Sequence, residues 1–463
     1  MKYSVLVNRD NKIKDNYLDK INLIEIENVD KEKVYLEEKT YEAYLKLKEY
    51  LEELNISIGI TSAYRSISYQ EKVYNEFLNE KGEEYTKTHV AEPAFSEHHT
   101  GLAIDIGILV NEEYTDEDNI EIFEEIHKHL HKFGFILRYP QKKESITKYS
   151  YEPWHIRYVG NIPAKIIYDN NLTLEEYLNN FGCVLYINKP KDITSFDVVN
   201  DISHLFGIKR VGHTGTLDPM ATGVMLVTVG KATKIVELLT ANDKEYIAEF
   251  ELGYKTDTYD NTGNVLSKKD IPNNINMIDT LNSFKKTYLQ EVPIYSAIKV
   301  NGKKLYEYAR NNIDIDLPKK EVTIKNIELL EEKENTYKIK TLVSKGTYIR
   351  SLINDVGISL NTYATMTSLE RTKQGLISIT DTNTLEDIKN NNFNIHKIEE
   401  VLDYPLIEVD EELEKLISNG VKIENTFNIN DKVIFKSKNK LLGIYEKQGN
   451  YLKTWKNFIW QKS

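Results

Sequence analysis

Apolar residues recur at helical spacing over residues 38–54, EKTYEAYLKLKEYLEEL, and predict an amphipathic helix. ISIGITSAYRS follows as an apolar run that turns polar at its end, the pattern of a buried strand. SYQEKVYNEFLNEKG predicts a second helix, stopped by Gly82. TKTHVAEPAFSEHHTGLAIDIGI reads as a loop running into a strand. A further helix is expected from Asp118 to Lys132, with Gly134 beyond its end, and YSYEPWHIRYVG reads as a strand.

From Cys183 the pattern changes. CVLYINKP predicts a strand, KPKDITS a turn, and the next residues a helix with Ser195 as its N-cap. In RVGHTGTLDPMATGVMLVTVGK (210–231) a polar, Gly-rich turn precedes an apolar run that reads as a buried strand. KATKIVELLTAN predicts a helix, DKEYIAEFELGYKTDTYDNTGNVL two strands around a turn, and 278–289 another helix. QEVPIYSAIKVNGKKLYEYARN gives a Pro-led loop, a hairpin turn at Asn301-Gly302 and a helix. Two strands and a helix are expected across EVTIKNIELLEEKENTYKIKTLVSKGTYIRSLINDVGISL, then a loop and a strand in ATMTSLERTKQGLISI. EVDEELEKLISNG predicts a helix closed by Gly420. Three short strands follow, with turns at 438–440 and 448–450. The expected class is multidomain α+β, with a mixed or antiparallel sheet in the second part.

A chain of 463 residues holds about three domains. With 40% hydrophobic and 29% charged residues it reads as globular and soluble, not disordered. A single cysteine, Cys183, excludes an internal disulfide and fits a reducing compartment. No apolar run is long enough to span a membrane, and MKYSVLVNRDNKIKDN lacks the apolar core of a signal peptide. The expected location is the cytoplasm. The net charge of −12 is uneven: residues 1–182 carry 22 basic and 34 acidic side chains, which leaves 38 of each in 183–463. A nucleic-acid partner therefore belongs to the second part, and the asymmetry suggests two units with different partners.

Within the first part, His98, Asp105 and His155 offer a sound ligand set for zinc with one open position, while each of His98, His99 and His155 taken singly reads as an ordinary surface or core histidine. Glu152, three residues before His155, could take a proton from water there. Arg65 could hold a substrate carboxylate or a developing oxyanion. SAYRS (62–66), SEHHTGLAID (96–105) and EPWH (152–155) resemble, in order and spacing, the three motifs of the VanY family of metal-dependent D-alanyl-D-alanine carboxypeptidases. The resemblance covers most of 1–178. It implies zinc on His98, Asp105 and His155, Glu152 as catalytic base and Arg65 as transition-state stabiliser. It leaves His99 without a role. The implied substrate is a peptide or dipeptide ending in D-Ala, or a recycled cell-wall fragment.

In the second part, Asp218 is a lone acid on a rigid turn, pinned by Pro219 and flanked by glycines, with His213 five residues before it. By shape alone it is equally an ordinary Asp-Pro turn. KPKDITS, GHTGTLDPMATGVM, DKEYIAEFELGYKTDT, VPIYSAIKVNGKKLYEYAR, SKGTYIRSL and TSLERTKQG resemble the successive motifs of the TruB family, which makes pseudouridine at position 55 of the tRNA T-loop. Asp192 stands where that family usually has a glycine. The resemblance implies a cofactor-free isomerisation with Asp218 against the sugar or base, its exact step left open. It implies Arg350 paired with Asp218, Tyr246 stacked on the uracil, Tyr348 in the pocket wall, and His213 filling the space of the flipped base. Lys189, Lys209, Arg210, Lys299, Lys303, Lys304 and Arg310 are candidate phosphate contacts.

The expected division is a peptidase-like unit at 1–180, a synthase unit at 183–400 and a small β unit at 401–463. The last resembles the PUA-like RNA-binding domain of those synthases, or serves only as a structural cap. Nothing rich in Gly, Ser or Pro separates the first two. Three origins fit this join: a bifunctional enzyme, a synthase with a peptidase-like binding module, or an accidental fusion of neighbouring genes.

Overall fold

The structure, a computed structural model, describes residues 2–115, 119–438 and 440–459. Helix α1 (Glu38–Glu53) buries Tyr44, Leu47 and Leu51, spaced to lie on one face, over strand β1 (Ile58–Ser62). Helix α2 (Ile67–Lys81) ends at Gly82 as expected. Helix α3 (Glu83–His89) then takes the start of the stretch read as loop. Its acids lie in the first turn and its bases in the last, which suits the helix dipole. Strand β2 (Ala103–Val110) is central to a five-stranded sheet. Helix α4 (Ile120–Leu130) falls within the expected range, and Asp118 lies outside the described residues.

Strand β3 (Phe135–Leu137) is an edge of that sheet, and the strand expected over YSYEPWHIRYVG shrinks to β4 (His155–Tyr158). A turn before β4, with the His155 N–H on the Glu152 carbonyl at 3.3 Å, takes the rest. The order is β1-β2-β4-β3, with Glu113–Thr115 also on β2. Helices α5 (Asn161–Asp169) and α6 (Leu174–Asn180) close the first part, α6 with a capping box from Thr173 and Glu176.

One residue later strand β5 (Gly182–Lys189) opens a nine-stranded sheet. Helix α7 (Ser195–Phe206) is capped by Thr194, not by Ser195 as expected; Thr194 accepts from the Asp197 N–H, and Ser195 is the first helical residue. Strands β6 (Val211–His213) and β7 (Thr222–Gly230) flank the Asp218 loop, and β8 (Lys244–Leu252) follows. The helix expected over 231–242 is a 3-10 turn, Lys231–Ile235, followed by a short α-helix, Val236–Thr240.

The helix expected over 278–289 is also only half present. Met277–Ser283 is helical, but β9 (Thr287–Glu291) pairs antiparallel with β10 (Lys319–Lys333). A free sheet edge overrides the local pattern there, with Thr287 facing Thr323 across the pair. Asn301 and Gly302 make the expected hairpin turn, between Lys299–Val300 and Lys303–Lys304.

Strand β11 (Thr336–Val343), helix α8 (Ile349–Ser359), strand β12 (Ala364–Gln374) and β13 (Ile377–Ser378) complete the sheet; the loop expected in ATMTSLERTKQ is strand throughout. The order is β9-β10-β11-β8-β12-β7-β5, with β6 on β7 and β13 on β12. The β7–β12 pair is parallel and the others antiparallel, so the class is the expected α+β with a mixed sheet.

Strands β14 (Leu406–Glu408), β15 (Ile423–Glu424), β16 (Lys432–Ser437), β17 (Lys440–Gln448) and β18 (Tyr451–Asn457) form a third sheet, with helix α9 (Glu411–Ser418) between β14 and β15. Its order, β14-β16-β17-β18-β15, adds two short edge strands to the three expected. Of the turn at 438–440, residue 439 lies outside the described residues. No helix among the described residues is long and apolar enough to cross a membrane.

Candidate active sites

Three elements meet at the first site. Asp105 on β2 stands opposite His155 on β4 and, across the other edge, opposite Ser62 at the end of β1. His98 comes from a 3-10 turn, Glu97–Thr100, opened by Ser96. The three ligand atoms lie within 4.8 Å of one another. Asp105 Oδ2 is 3.2 Å from His98 Nε2, and Asp105 Oδ1 is 3.0 Å from His155 Nδ1. His98 Nδ1 is 2.6 Å from the Ala63 carbonyl. Donating there fixes the tautomer that leaves Nε2 with a lone pair, the usual outer-shell support of a ligand imidazole.

Burial, aided by Arg65, pushes His98 down to about 4, so the ring is neutral. Burial pushes the Asp105 carboxyl up, but the two imidazoles outweigh it and hold the group well below its usual range. Two nitrogens and a carboxylate, converging and buried, fit a zinc ion. His99 is excluded, since its Nδ1 faces the Arg65 carbonyl at 2.7 Å and its Nε2 accepts from the Ala94 N–H at 3.1 Å.

Glu152 Oε2 is 3.6 Å from His155 Nδ1, and burial raises its carboxyl to about 7. Arg65 lies three residues beyond the end of β1, where its Nη2 holds Asp105 Oδ2 at 2.8 Å. Behind these residues is a buried ionic cluster that sequence reasoning missed. Glu97 binds Arg138 Nε at 2.9 Å and Arg157 Nη1 at 2.7 Å, and Arg138 forks onto Glu175 of α6 at 3.0 and 2.6 Å. Two acids and two bases balance, so the cluster carries no net buried charge. It fixes Glu97, next to His98, and Arg157, two residues past His155.

At the second site, Asp218 sits in the loop between β6 and β7. Gly223 anchors that loop: at φ +105° it lies so close to the Arg371 backbone that a Cβ would stand 2.2 Å from the carbonyl oxygen. Arg350, in the first turn of α8, grips the carboxylate with Nε at 3.0 Å from Oδ2 and Nη2 at 3.2 Å from Oδ1. Its remaining donors bind the Thr258 and Tyr295 carbonyls at 3.0 Å each. Burial pushes the Asp218 carboxyl above its ordinary value, and Arg350 offsets that push only in part. Nearby Asp260, also missed in the sequence, lies 3.7 Å from Arg350 Nη1.

Tyr246 on β8 is buried in the same hydrophobic cluster as Leu217 and Met220, on either side of Asp218. Tyr348 precedes α8, where Gln290 of β9 accepts its N–H at 2.8 Å and donates to its carbonyl at 3.1 Å. His213 ends β6, where its Nδ1 accepts from the Gly215 N–H at 3.2 Å and burial lowers its basicity. No bond joins His213 or Tyr246 to Asp218 among the described residues.

Lys189 is not a phosphate contact. It is fully buried, and its ammonium donates to the carbonyls of Pro190 at 2.8 Å, Ile193 at 2.7 Å and Pro219 at 3.3 Å. It ties the KPKDITS turn to the Asp218 loop, as does the Asp192 N–H on Pro219 at 2.8 Å. Asp192 takes φ +66°, the conformation a glycine would serve at that position. Lys209, Arg210, Lys299, Lys303 and Arg310 are exposed and Lys304 half-buried.

Residues 203–349 match the family described as TruB family pseudouridylate synthase (N terminal domain), and residues 33–161 match the VanY family, D-alanyl-D-alanine carboxypeptidase. A tRNA pseudouridine synthase B of Fusobacterium nucleatum is 51% identical over 197 residues, 42% of this chain and 69% of that protein. Its counterpart in Clostridium tetani is 43% identical over 268 residues, 57% of this chain and 91% of that protein. Among solved structures, a zinc complex of the vancomycin-resistance D,D-pentapeptidase VanY is 31% identical, covering 39% of this chain and all of that one, with a TM-score of 0.34.

Proposed function

The chain belongs to the TruB family of pseudouridylate synthases, and on that footing we propose that its second part isomerises uridine 55 of the tRNA T-loop to pseudouridine. The observation that carries this reading is the Arg350 fork on Asp218. It aims a half-buried carboxylate from a loop that Lys189 and Arg371 pin to the sheet. The reaction breaks the N1–C1′ bond, turns the base and rejoins it through C5, so it needs a positioned carboxylate and no cofactor. Tyr246 stacks on the uracil, Tyr348 lines the pocket, and His213 takes the place of the flipped base. The units at 183–400 and 401–463 divide catalysis from RNA gripping. A tRNA substrate puts this work in the cytoplasm. Asp218→Asn is expected to abolish pseudouridine formation on a T-loop RNA while RNA binding survives. Retained turnover in that variant refutes the assignment.

The first part, residues 1–180, we assign as a zinc-dependent D-alanyl-D-alanine carboxypeptidase or dipeptidase, supported by the match over 33–161 and the converging His98, Asp105 and His155. A zinc ion held by these three would polarise the scissile carbonyl and make water a nucleophile at neutral pH. Glu152 would accept the proton, and Arg65 would meet the developing oxyanion or the substrate carboxylate. A binding module without catalysis would not need the complete donor set and its outer-shell support. About one zinc per chain is expected in protein purified with zinc, lost in His98→Ala and His155→Ala. A zinc-replete protein without metal would sink the peptidase reading. Chelation should stop peptide cleavage and leave the isomerisation intact.

A further inference from the structure

The first 180 residues do not hang from the synthase by a tether. Helix α6 ends at Asn180 and β5 begins at Gly182, so Phe181 alone connects them, and its ring stacks on Tyr177 at 5.3 Å. Across this join one buried hydrophobic cluster holds Ile162 and Ile166 of α5, Tyr177 of α6, Leu185 of β5, and Ile202 and Phe206 of α7. Such a seam leaves no slack for the two parts to reorient.

The seam also closes one end of α7. The last carbonyls of a helix lack partners within it. Here the Tyr177 hydroxyl, from the first part, donates to the Phe206 carbonyl at 2.6 Å. The next residue, Gly207, has φ +62°, and a Cβ on it would stand 2.4 Å from Ser4 Oγ and 2.7 Å from Ser4 Cβ. The N-terminal segment is thus pressed against the end of α7. At the other end, Ser195 Oγ donates to the Leu217 carbonyl at 3.0 Å and accepts from the Leu217 N–H at 2.9 Å. Leu217 immediately precedes Asp218. The twelve residues of α7 form a rod of about 18 Å between the two contacts.

We propose that the first part of the chain is a built-in buttress of the synthase: its seam with β5 and α7 fixes α7, and α7 fixes the loop that carries Asp218. The functional meaning of this rests on the synthase reading, but the mechanical claim does not. Tyr177 and Ser4 are positioning residues, neither of which touches substrate.

The test is amide hydrogen exchange of the full chain without RNA, comparing the parent with Tyr177→Phe, which keeps the ring and removes one hydrogen bond. Residues 204–207 and 214–221 are expected to exchange roughly fivefold faster, the effect of losing one such bond. Ser4→Gly, which removes the side chain packed on Gly207 and leaves α7 and its left-handed cap unaltered, should give the same pattern. Faster exchange at 204–207 with none at 214–221, in both variants, overturns the proposal, as does no change at either. The kinetic counterpart is a severalfold lower kcat on T-loop RNA in Tyr177→Phe, with KM unchanged. A parent chain that makes no pseudouridine would defeat the synthase reading while the exchange data still decide the seam.

Discussion

Arg350 divides its donors among the Asp218 carboxylate and the carbonyls of Thr258 and Tyr295. Lysine in its place is a point charge without the planar fork. Arg350→Lys is therefore expected to lower kcat by about 10²-fold, with RNA affinity little changed. Arg350 draws the Asp218 carboxyl down against burial. Weakening that pull lets the pKa rise, so the acid limb of the pH–rate profile should move to higher pH; an unmoved limb would show that another group titrates. At this scale the sequence was most legible where a motif carries its own chemistry. His98, Asp105 and His155 converge as expected, and Arg350 meets Asp218. Lys189 was misread because a lysine beside a turn is usually solvated, and only the fold shows three carbonyls waiting for it. The Glu97–Arg138–Glu175 cluster had no signal at all, since its partners are scattered along the chain and joined only by packing.

Helix α8 shows how an element carries the site. Gln290 of β9 holds the Tyr348 backbone at its start, Arg350 projects from its first turn, and Asp355 in its middle accepts from the Tyr288 hydroxyl at 3.1 Å. Burial raises the Asp355 carboxyl to about 6. The folded chain therefore binds this proton more tightly than the unfolded chain between the ordinary carboxylate pKa and about 6, and stability falls as pH rises through that window. Above it the buried charge costs about 1 kcal/mol, after allowance for partial exposure. Asp355→Asn should melt about 2 °C higher than the parent at pH 7.5, with the gap closing at pH 4. A gap that is constant with pH would remove the carboxylate as its cause. By its local pattern strand β9, which feeds this helix, is the tail of a helix. Local periodicity could not register that an edge of β10, far along the chain, was open to it. Helices with a full amphipathic face, such as α1, were legible because their own residues bury one another's neighbours.

Across the whole molecule the charge pattern sets what the RNA meets. All of the net −12 lies in 1–182, and the remainder is neutral in sum. Binding must therefore come from local cations, not from a general positive field. Lys209, Arg210, Lys299, Lys303, Lys304 and Arg310 remain candidates; none of them is in an ion pair among the described residues, although the Lys304 ammonium donates to the Tyr306 hydroxyl at 3.2 Å. Lys304 and Arg310 each lie 5.3 Å from the Tyr306 ring, which brings two of these charges to one aromatic side chain. Six phosphate contacts imply a slope of about −4 to −5 for the logarithm of the binding constant against that of salt concentration. Replacing Lys303 and Lys304 together by Ala should flatten the slope by about 1.5 and weaken binding evenly across RNA sequences. Turnover of RNA already bound should not change, because neither residue belongs to the Asp218 site. An unaltered slope in a KCl series would move the RNA path away from this hairpin. A slope far shallower than −4 in the parent chain would mean that the acidic first part offsets contacts made by the second.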